Sequence, residues 1–409
     1  MRESPPNILL DISRTVARAR LPAPTGIDRV ERAWIRWASS HGAKFLASFD
    51  GRSHLIEVDA VGELLGWLED GDRRPKLDLR GMLNPKRDRM LRAAQSLIRR
   101  RALAVATPAG VRSLLKDRMR GGGWYLNTGH DNLSVETMAA IAGGGFRRAV
   151  LIHDTIPLDH PAFARKGSVE IFRQKLEAAL EADLLIANSN HTAECLRAHG
   201  AAQEVTVAPL GIDPAQTTPS PDPNAFLVLG TIEPRKNHAL LLHIWRKFWE
   251  EMGEHSPRLI LLGRRGWENQ EVFDMLESEP MMGRTVIEAG TPDDEALAGH
   301  LTNAIALLFP SHAEGYGLPV AEALAAGVPA IASDLPALRE VGGDVPEYLA
   351  PDDPNAWSEA ILSYAGQDSK RRDKQLLRLQ NWSAPTWRAH FDTVENAMAT
   401  ILVQAGLQR

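Results

Sequence analysis

Short apolar runs alternate with longer amphipathic stretches along most of the chain. "NILLDIS", "KFLASF", "GWYLNTG", "RAVLIHD", "DLLIANS" and "EVTVAPL" have the length and apolar character of buried strands. Helical patterns such as "FARKGSVEIFRQKLEAALEA" lie between several of them. This alternation predicts an α/β fold, a parallel sheet with helices on both faces. The pattern stops at "GIDPAQTTPSPDPNA", whose Pro, Thr, Ser and Asp mark a linker. It restarts with "AFLVLG", "RLILLG", "TVIEAG", "AIALLFP" and "VPAIAS". Two α/β halves follow: residues 1–213 and 214–385. A last helical pattern at 386–409, "PTWRAHFDTVENAMATI", comes after a proline break and can cap either half.

In open α/β sheets, ligands bind beyond the carboxyl ends of strands. The informative residues are therefore those after the apolar runs: Asp11 and Ser13, 127–132, His153 and Asp154, 230–237, 263–265, and 311–317. The stretch "SHAEGYGLPVAEALAAG" combines Gly315 and Gly317 with Pro319, which suits a helix start whose free N–H groups attract anions. Yet Glu314 and Glu322 bracket it. A carboxylate accepts hydrogen bonds only, so hydroxyl groups are its natural partners. Taken alone, Glu322 can equally complement the helix dipole and Glu314 can be solvated. "GTIEPRKNH" follows a strand and aims Arg235 and Lys236 at the same cleft, where both can hold phosphate. Alone, it reads more readily as a solvated basic turn.

"HAEGYGLPVAEAL", with its E-x7-E spacing, and "GTIEPRKN" together resemble the signatures of retaining glycosyltransferases of family 4. The likeness extends over "HDTIPL", "ANSNHTAECL" and "APLGID". It implies the GT-B fold: two Rossmann-like domains facing across a cleft, with the last helix crossing back to the first domain. It implies a nucleoside diphosphate sugar in the second domain and a saccharide or lipid-linked saccharide acceptor in the first. Glu322 would hold ribose hydroxyls and Glu314 the donor sugar. The backbone of Gly315, Tyr316, Gly317 and Leu318 would take the diphosphate. Lys236 and Arg235 would offset charge on the leaving group, and His153 would contact the donor sugar near the reacting carbon. "TGIDRVERAW" resembles the family's first loop, which would bring Gly26 to the diphosphate, although the usual double glycine is here single. The base would lie along 287–290, at Ala289.

One departure stands out. Many family members carry Arg directly after the glycine matching Gly230; here Thr231 follows it, leaving Arg235, Arg264 and Arg265 as replacements. The resemblance further implies transfer without a metal or other cofactor, and retention by front-face displacement. In that mechanism Glu314 binds rather than attacks. A GDP-mannose-like donor and a role in O-antigen, capsule or exopolysaccharide synthesis are the matching expectations. Two other readings remain open: a sugar-nucleotide epimerase of the same fold, and a catalytically silent sugar-nucleotide-binding protein.

Charge adds one asymmetry. The whole chain of 409 residues has a net charge of -5, but 73–120 holds 15 Lys/Arg against three Asp. Within it, 86–105 places Met90, Leu91, Ala94, Leu97 and Ile98 at helical spacing beside Arg89, Arg92, Arg99 and Arg100. This suits either an interfacial helix on anionic lipid or a solvated helix over the core. No aromatic platform accompanies the charge, which argues against nucleic acid. A single cysteine, Cys195, excludes an intrachain disulfide. No run reaches the roughly 18 apolar residues of a membrane span, and the first apolar run is broken by Asp11. The expectation is a cytoplasmic protein, peripheral at most on the inner face of the plasma membrane.

Overall fold

The computed structural model describes residues 7–21, 24–70, 74–213, 225–292, 294–302, 304–366 and 368–407. The expected linker at 211–225 falls mostly outside the described residues.

The first half builds one eight-stranded sheet from β1 (Asn7–Asp11), β2 (Lys44–Phe49), β3 (Arg52–Ile56), β4 (Ala104–Ala106), β5 (Gly123–Asn127), β6 (Phe146–Ile152), β7 (Leu184–Ala187) and β8 (Val205–Val207). Its order is β4-β3-β2-β1-β5-β6-β7-β8. The second half builds a six-stranded sheet from β9 (Ala225–Leu229), β10 (Arg258–Leu262), β11 (Val286–Gly290), β12 (Ala306–Phe309), β13 (Ala330–Ser333) and β14 (Glu347–Leu349), in the order β11-β10-β9-β12-β13-β14. Each apolar run named above became a strand because helices cover both faces; β7, β12 and β13 are buried along their whole length.

The expectation of a purely parallel first sheet needs correction. β2 pairs with β3 and β3 with β4 antiparallel. β3 reads Arg-Ser-His-Leu-Ile, too polar to stand out as an apolar run. β4 overlaps the end of the stretch read as one helix over 86–105. That helix ends at Arg101. Its Ala93, Ala94, Leu97 and Ile98 are buried in the core shared with Val16 and Val61. Its apolar face is therefore spent on the protein, and it has none left for lipid.

The last helix, Trp387–Leu407, crosses back to the first half. Phe391 stacks on Trp37 at 5.1 Å between ring centres, and His390 and Phe391 meet the Trp34 ring edge-on. The His390 Nδ1–H donates to the Ala208 carbonyl at 3.0 Å. A buried aromatic cluster thus ties the end of the chain to the helix Gly26–Ser40.

Candidate active site

β9 pairs with β12 through Phe226↔Ala306 and Leu227↔Leu307, at the point where strand order reverses. The loops leaving these two strands are therefore neighbours, although some 70 residues separate them in sequence. A 3-10 turn at Pro234–Lys236 ends at Asn237, held at φ 56°, and directs both cations inward. Lys236 Nζ donates to Glu314 Oε1 at 2.7 Å. Arg235 Nη1 lies 2.9 Å from the same oxygen. Arg235 also reaches Glu233 Oε1 at 2.8 Å and the Ala313 carbonyl at 2.7 Å. Neither cation is a solvated turn residue.

Glu314 is 9% exposed. Burial pushes its pKa up, but Arg235 and Lys236 outweigh that and hold it at about 2, so the carboxylate stays ionised. Burial lowers the Lys236 pKa, with Glu314 opposing and Arg235 adding to the shift.

The glycine loop has three separate jobs. At Gly315, a Cβ would lie 2.2 Å from the His153 carbonyl oxygen, so only glycine permits this approach between the halves. The Gly315 carbonyl accepts from Ser189 Oγ at 2.7 Å and Thr192 Oγ1 at 3.1 Å. Tyr316 sends its hydroxyl to the Leu210 carbonyl at 2.7 Å, so its side chain fastens the halves together and does not face a ligand. Gly317, at φ 102°, turns the chain into the helix Leu318–Ala325. Among the described residues, the backbone N–H groups of Gly315, Tyr316, Gly317 and Leu318 donate to no protein acceptor. They are open donors at a helix start.

Glu322 lies beyond the first turn of that helix, one step later than a start at Pro319 would place it. Its carboxylate still reaches back to the cleft, where it forms an ion pair with Arg29 of the first half. Gly26, three residues before Arg29, faces Leu318: a Cβ there would sit 3.3 Å from Leu318 Cδ1. Arg29, Leu318 and Glu322 line a cavity of about 480 Å³, with Leu297, Ala298 and Trp387 as an apolar wall. Ala289 is not part of this group. It is exposed on β11, the outer strand.

On the first half, His153 Nε2 lies 2.8 Å from the Thr128 carbonyl. A carbonyl only accepts, so Nε2 carries the proton and Nδ1 keeps its lone pair. Burial lowers the His153 pKa to about 4. His130, within the 127–132 stretch after β5, spends Nε2 on the Leu151 carbonyl at 2.7 Å and is buried. Asp154 Oδ1 accepts from the Ile156 N–H and shapes the turn after β6.

Arg264 and Arg265 differ. Arg265 is tied to Glu288 at 2.9 Å and Glu277 at 2.6 Å on the outer face. Arg264 is exposed beside the cleft, has no acidic partner among the described residues, and repels Arg18 of the first half. "PDDP" at 351–354 serves as a cap: Asp353 accepts from the Asn355 and Ala356 N–H groups.

Sequence reading singled out Asp11 but missed the buried polar layer it shares with Tyr125 and, through the next helices, Glu31. Asp11 accepts from Tyr125 Oη at 3.0 Å and Asn132 Nδ2 at 2.8 Å. Glu31, 1% exposed, accepts from Thr15 Oγ1 at 2.6 Å. Burial raises Asp11 to about 6 and Glu31 to about 8. The available signal was a carboxylate on the apolar stripe of Val30, Ala33 and Trp34.

Residues 212–375 match the family model "Glycosyl transferases group 1". The chain is 29% identical over 276 residues to the Escherichia coli serotype-specific mannosyltransferase WbdA, covering 60% of this chain and 33% of that protein. It is 37% identical over 145 residues to the Escherichia coli O-antigen chain mannosyltransferase B, covering 36% of this chain and 38% of that protein. The chain thus spans about a third of the length of these curated relatives. Among solved structures, Anabaena Alr3699/HepE in complex with UDP-glucose superposes with a TM-score of 0.63 at 17% identity, covering 98% of this chain and 100% of that one. Staphylococcus aureus TarM superposes with a TM-score of 0.55 at 13% identity, covering 73% of this chain and 61% of that one. Two Rossmann-like sheets, a returning terminal helix and a matched second half agree on one architecture: the chain has the GT-B fold, and its residues 212–375 match the glycosyl transferases group 1 family.

Proposed function

We propose that the protein is a retaining, metal-independent hexosyltransferase of polysaccharide biosynthesis. It takes a hexose or deoxyhexose, with GDP-mannose as the first donor to test, and delivers it to a saccharide or lipid-linked saccharide. The observation that carries this reading is the meeting of Lys236 and Arg235 on Glu314, beside four open backbone N–H groups at a helix start. Cations and N–H groups suit a diphosphate, while the ionised Glu314 suits sugar hydroxyls. The mannosyltransferase relatives favour a mannose donor.

In this reading the acceptor oxygen bonds to the anomeric carbon on the face the diphosphate leaves. The bond from that carbon to the phosphate oxygen breaks, and the phosphate oxygen takes the acceptor proton. Lys236, Arg235 and the helix-start N–H groups stabilise the charge on the departing diphosphate. Glu314 holds the donor sugar. The His153 Nδ1 lone pair, left free by the Nε2 bond to Thr128, accepts from a sugar hydroxyl. Glu322 holds the ribose.

The test is a thermal-shift panel of GDP-, UDP- and dTDP-sugars, followed by NMR of the anomeric configuration of the product. One stabilising sugar nucleotide and an α-linked product from an α-linked donor are expected. An inverted product, or free epimer made without acceptor, would overturn the reading.

A further inference from the structure

The segment just before the helix Arg89–Arg101 holds large apolar side chains out in water. Leu79 is 78% exposed, Met82 60% and Leu83 82%. This is no loose turn. Asp78 caps the short helix Leu79–Met82 through the Gly81 N–H at 2.7 Å. The same carboxylate is gripped by Arg99 at 2.6 and 2.8 Å and by Ser96 at 3.0 Å. Arg92 Nη1 donates to the Gly81 carbonyl at 2.8 Å. Gly81 fits so closely that a Cβ there would sit 2.6 Å from Ser96 Oγ. Three helix residues thus act as a pedestal, and the side chains on its outer side are left mostly in water.

The surroundings of this patch are cationic. Arg74, Lys76, Arg80, Lys86 and Arg89 are exposed and have no acidic partner among the described residues. Among the described residues, the nearby acids are engaged: Asp78 with Arg99, Asp50 with Arg87, and Asp88 as cap of the helix Arg89–Arg101. Isolated exposed apolar residues are ordinary, but three on a fixed pedestal ringed by free cations are not. Apolar side chains that protrude from a convex surface can enter the acyl boundary of a bilayer. Free Lys and Arg beside them are attracted to anionic headgroups.

We infer that Leu79, Met82 and Leu83, with Arg80, Lys86 and Arg89, form a docking surface for an anionic lipid bilayer. It replaces the apolar face of the helix Arg89–Arg101, which is buried, and leaves that helix as the support. The helix also packs against Ser13–Arg18, which leads from β1 into the cleft. A docked bilayer would therefore lie on the flank of the half assigned to the acceptor. The surface stands independently of the transferase reading.

The test is co-sedimentation of the full chain with vesicles of phosphatidylcholine alone or with about 30% phosphatidylglycerol, at low and high salt. Binding only to the anionic vesicles, weakened by salt, is expected. The triple variant Leu79→Ser, Met82→Ser, Leu83→Ser should lose binding. The variant Arg80→Glu, Lys86→Glu, Arg89→Glu should lower partitioning on the order of a hundredfold or more. Both should melt with the wild type, since these side chains are mostly exposed. In Leu83→Trp, fluorescence should shift to the blue on anionic vesicles. Equal recovery with both lipids, retained binding by the serine variant, or an unshifted tryptophan would overturn the inference. So would self-association without lipid that the serine variant abolishes, since the patch would then seat a second copy. Donor-induced thermal shifts, measured on the same variants, should be unchanged; their loss in wild type would count against the transferase reading and leave this surface untouched.

Discussion

Arg29, in the first turns of the helix Gly26–Ser40, forms an ion pair with Glu322 of the opposite half across the cleft. The carboxylate assigned to ribose is thus already engaged by a cation from the other domain, and both line the same cavity. A ribose must compete with Arg29 or share the carboxylate with it. In Glu322→Gln, the charged acceptor is lost to both. Nucleoside diphosphate affinity should fall about ten- to a hundredfold, the range for a hydrogen bond to a charged group. Isothermal titration with GDP and UDP reads this directly, and unchanged affinity would remove Glu322 from the site.

Lys236→Ala should act mainly on turnover. Lys236 is buried against Glu314, with its ammonium 4.4 Å from the centre of the Phe309 ring. A preorganised cation of this kind contributes most as charge develops on the leaving group. A drop in kcat of about 100- to 1000-fold, with less than tenfold change in donor Kd, is the expected result. A change confined to Kd would make Lys236 a ground-state binder.

Gly315→Ala tests how closely the halves fit. The new methyl would lie 2.2 Å from the His153 carbonyl oxygen, a backbone atom with no room to turn aside. The loop must then leave Ser189 and Thr192. We expect a stability loss of about 1–3 kcal/mol, loss of transfer, and a larger radius of gyration by small-angle scattering. A variant with wild-type melting and activity would show that this contact does not hold the halves together.

Stability should peak at about pH 7. Burial lowers His153 and His390 to about 4 and His238 to about 3, and it lowers His130 as well. Between those values and an unfolded pKa near 6.5, the unfolded chain binds protons that the folded chain does not. Stability therefore falls as pH falls through this window. Asp11 and Glu31 act in the opposite sense, because burial raises them to about 6 and about 8. The folded chain holds their protons longer, so their contribution is lost as pH rises. Below pH 6 the four imidazoles outnumber the two carboxyls. Above about pH 7.5, where the unfolded imidazoles have lost their protons, only Glu31 still titrates among these groups. Melting temperature at about pH 5, 7 and 8.5 checks this, and Glu31→Gln should flatten the alkaline limb. A flat profile from 5 to 6.5 would mean that these histidines protonate without unfolding.

The apolar runs revealed most of both sheets, because a strand covered on both faces must be apolar throughout. β3 escaped for the same reason in reverse, since Arg52, Ser53 and His54 make it too polar to stand out, and β4 escaped because its three residues follow directly on a helical pattern. The chemistry-bearing loops were also legible, since they follow strands whose ends had been recognised. Arg29 and Glu31 were not. They sit inside an amphipathic helix, and nothing local says which side chains meet another domain.

The sequence alone determined the two α/β halves, the positions of Glu314, Glu322, Arg235, Lys236 and His153, and the glycines between them. Those depend on periodicity and on short loops, which are local properties. Only the tertiary structure decided the partners. The β9–β12 pairing brings Lys236 to Glu314, and the meeting of the halves sets Gly315 on His153, Tyr316 on Leu210 and Arg29 on Glu322. It also turned the apolar face of Arg89–Arg101 inward and left Leu79, Met82 and Leu83 outside. A residue's period fixes which side of its own helix it occupies; what lies on that side is fixed by elements far away in the chain.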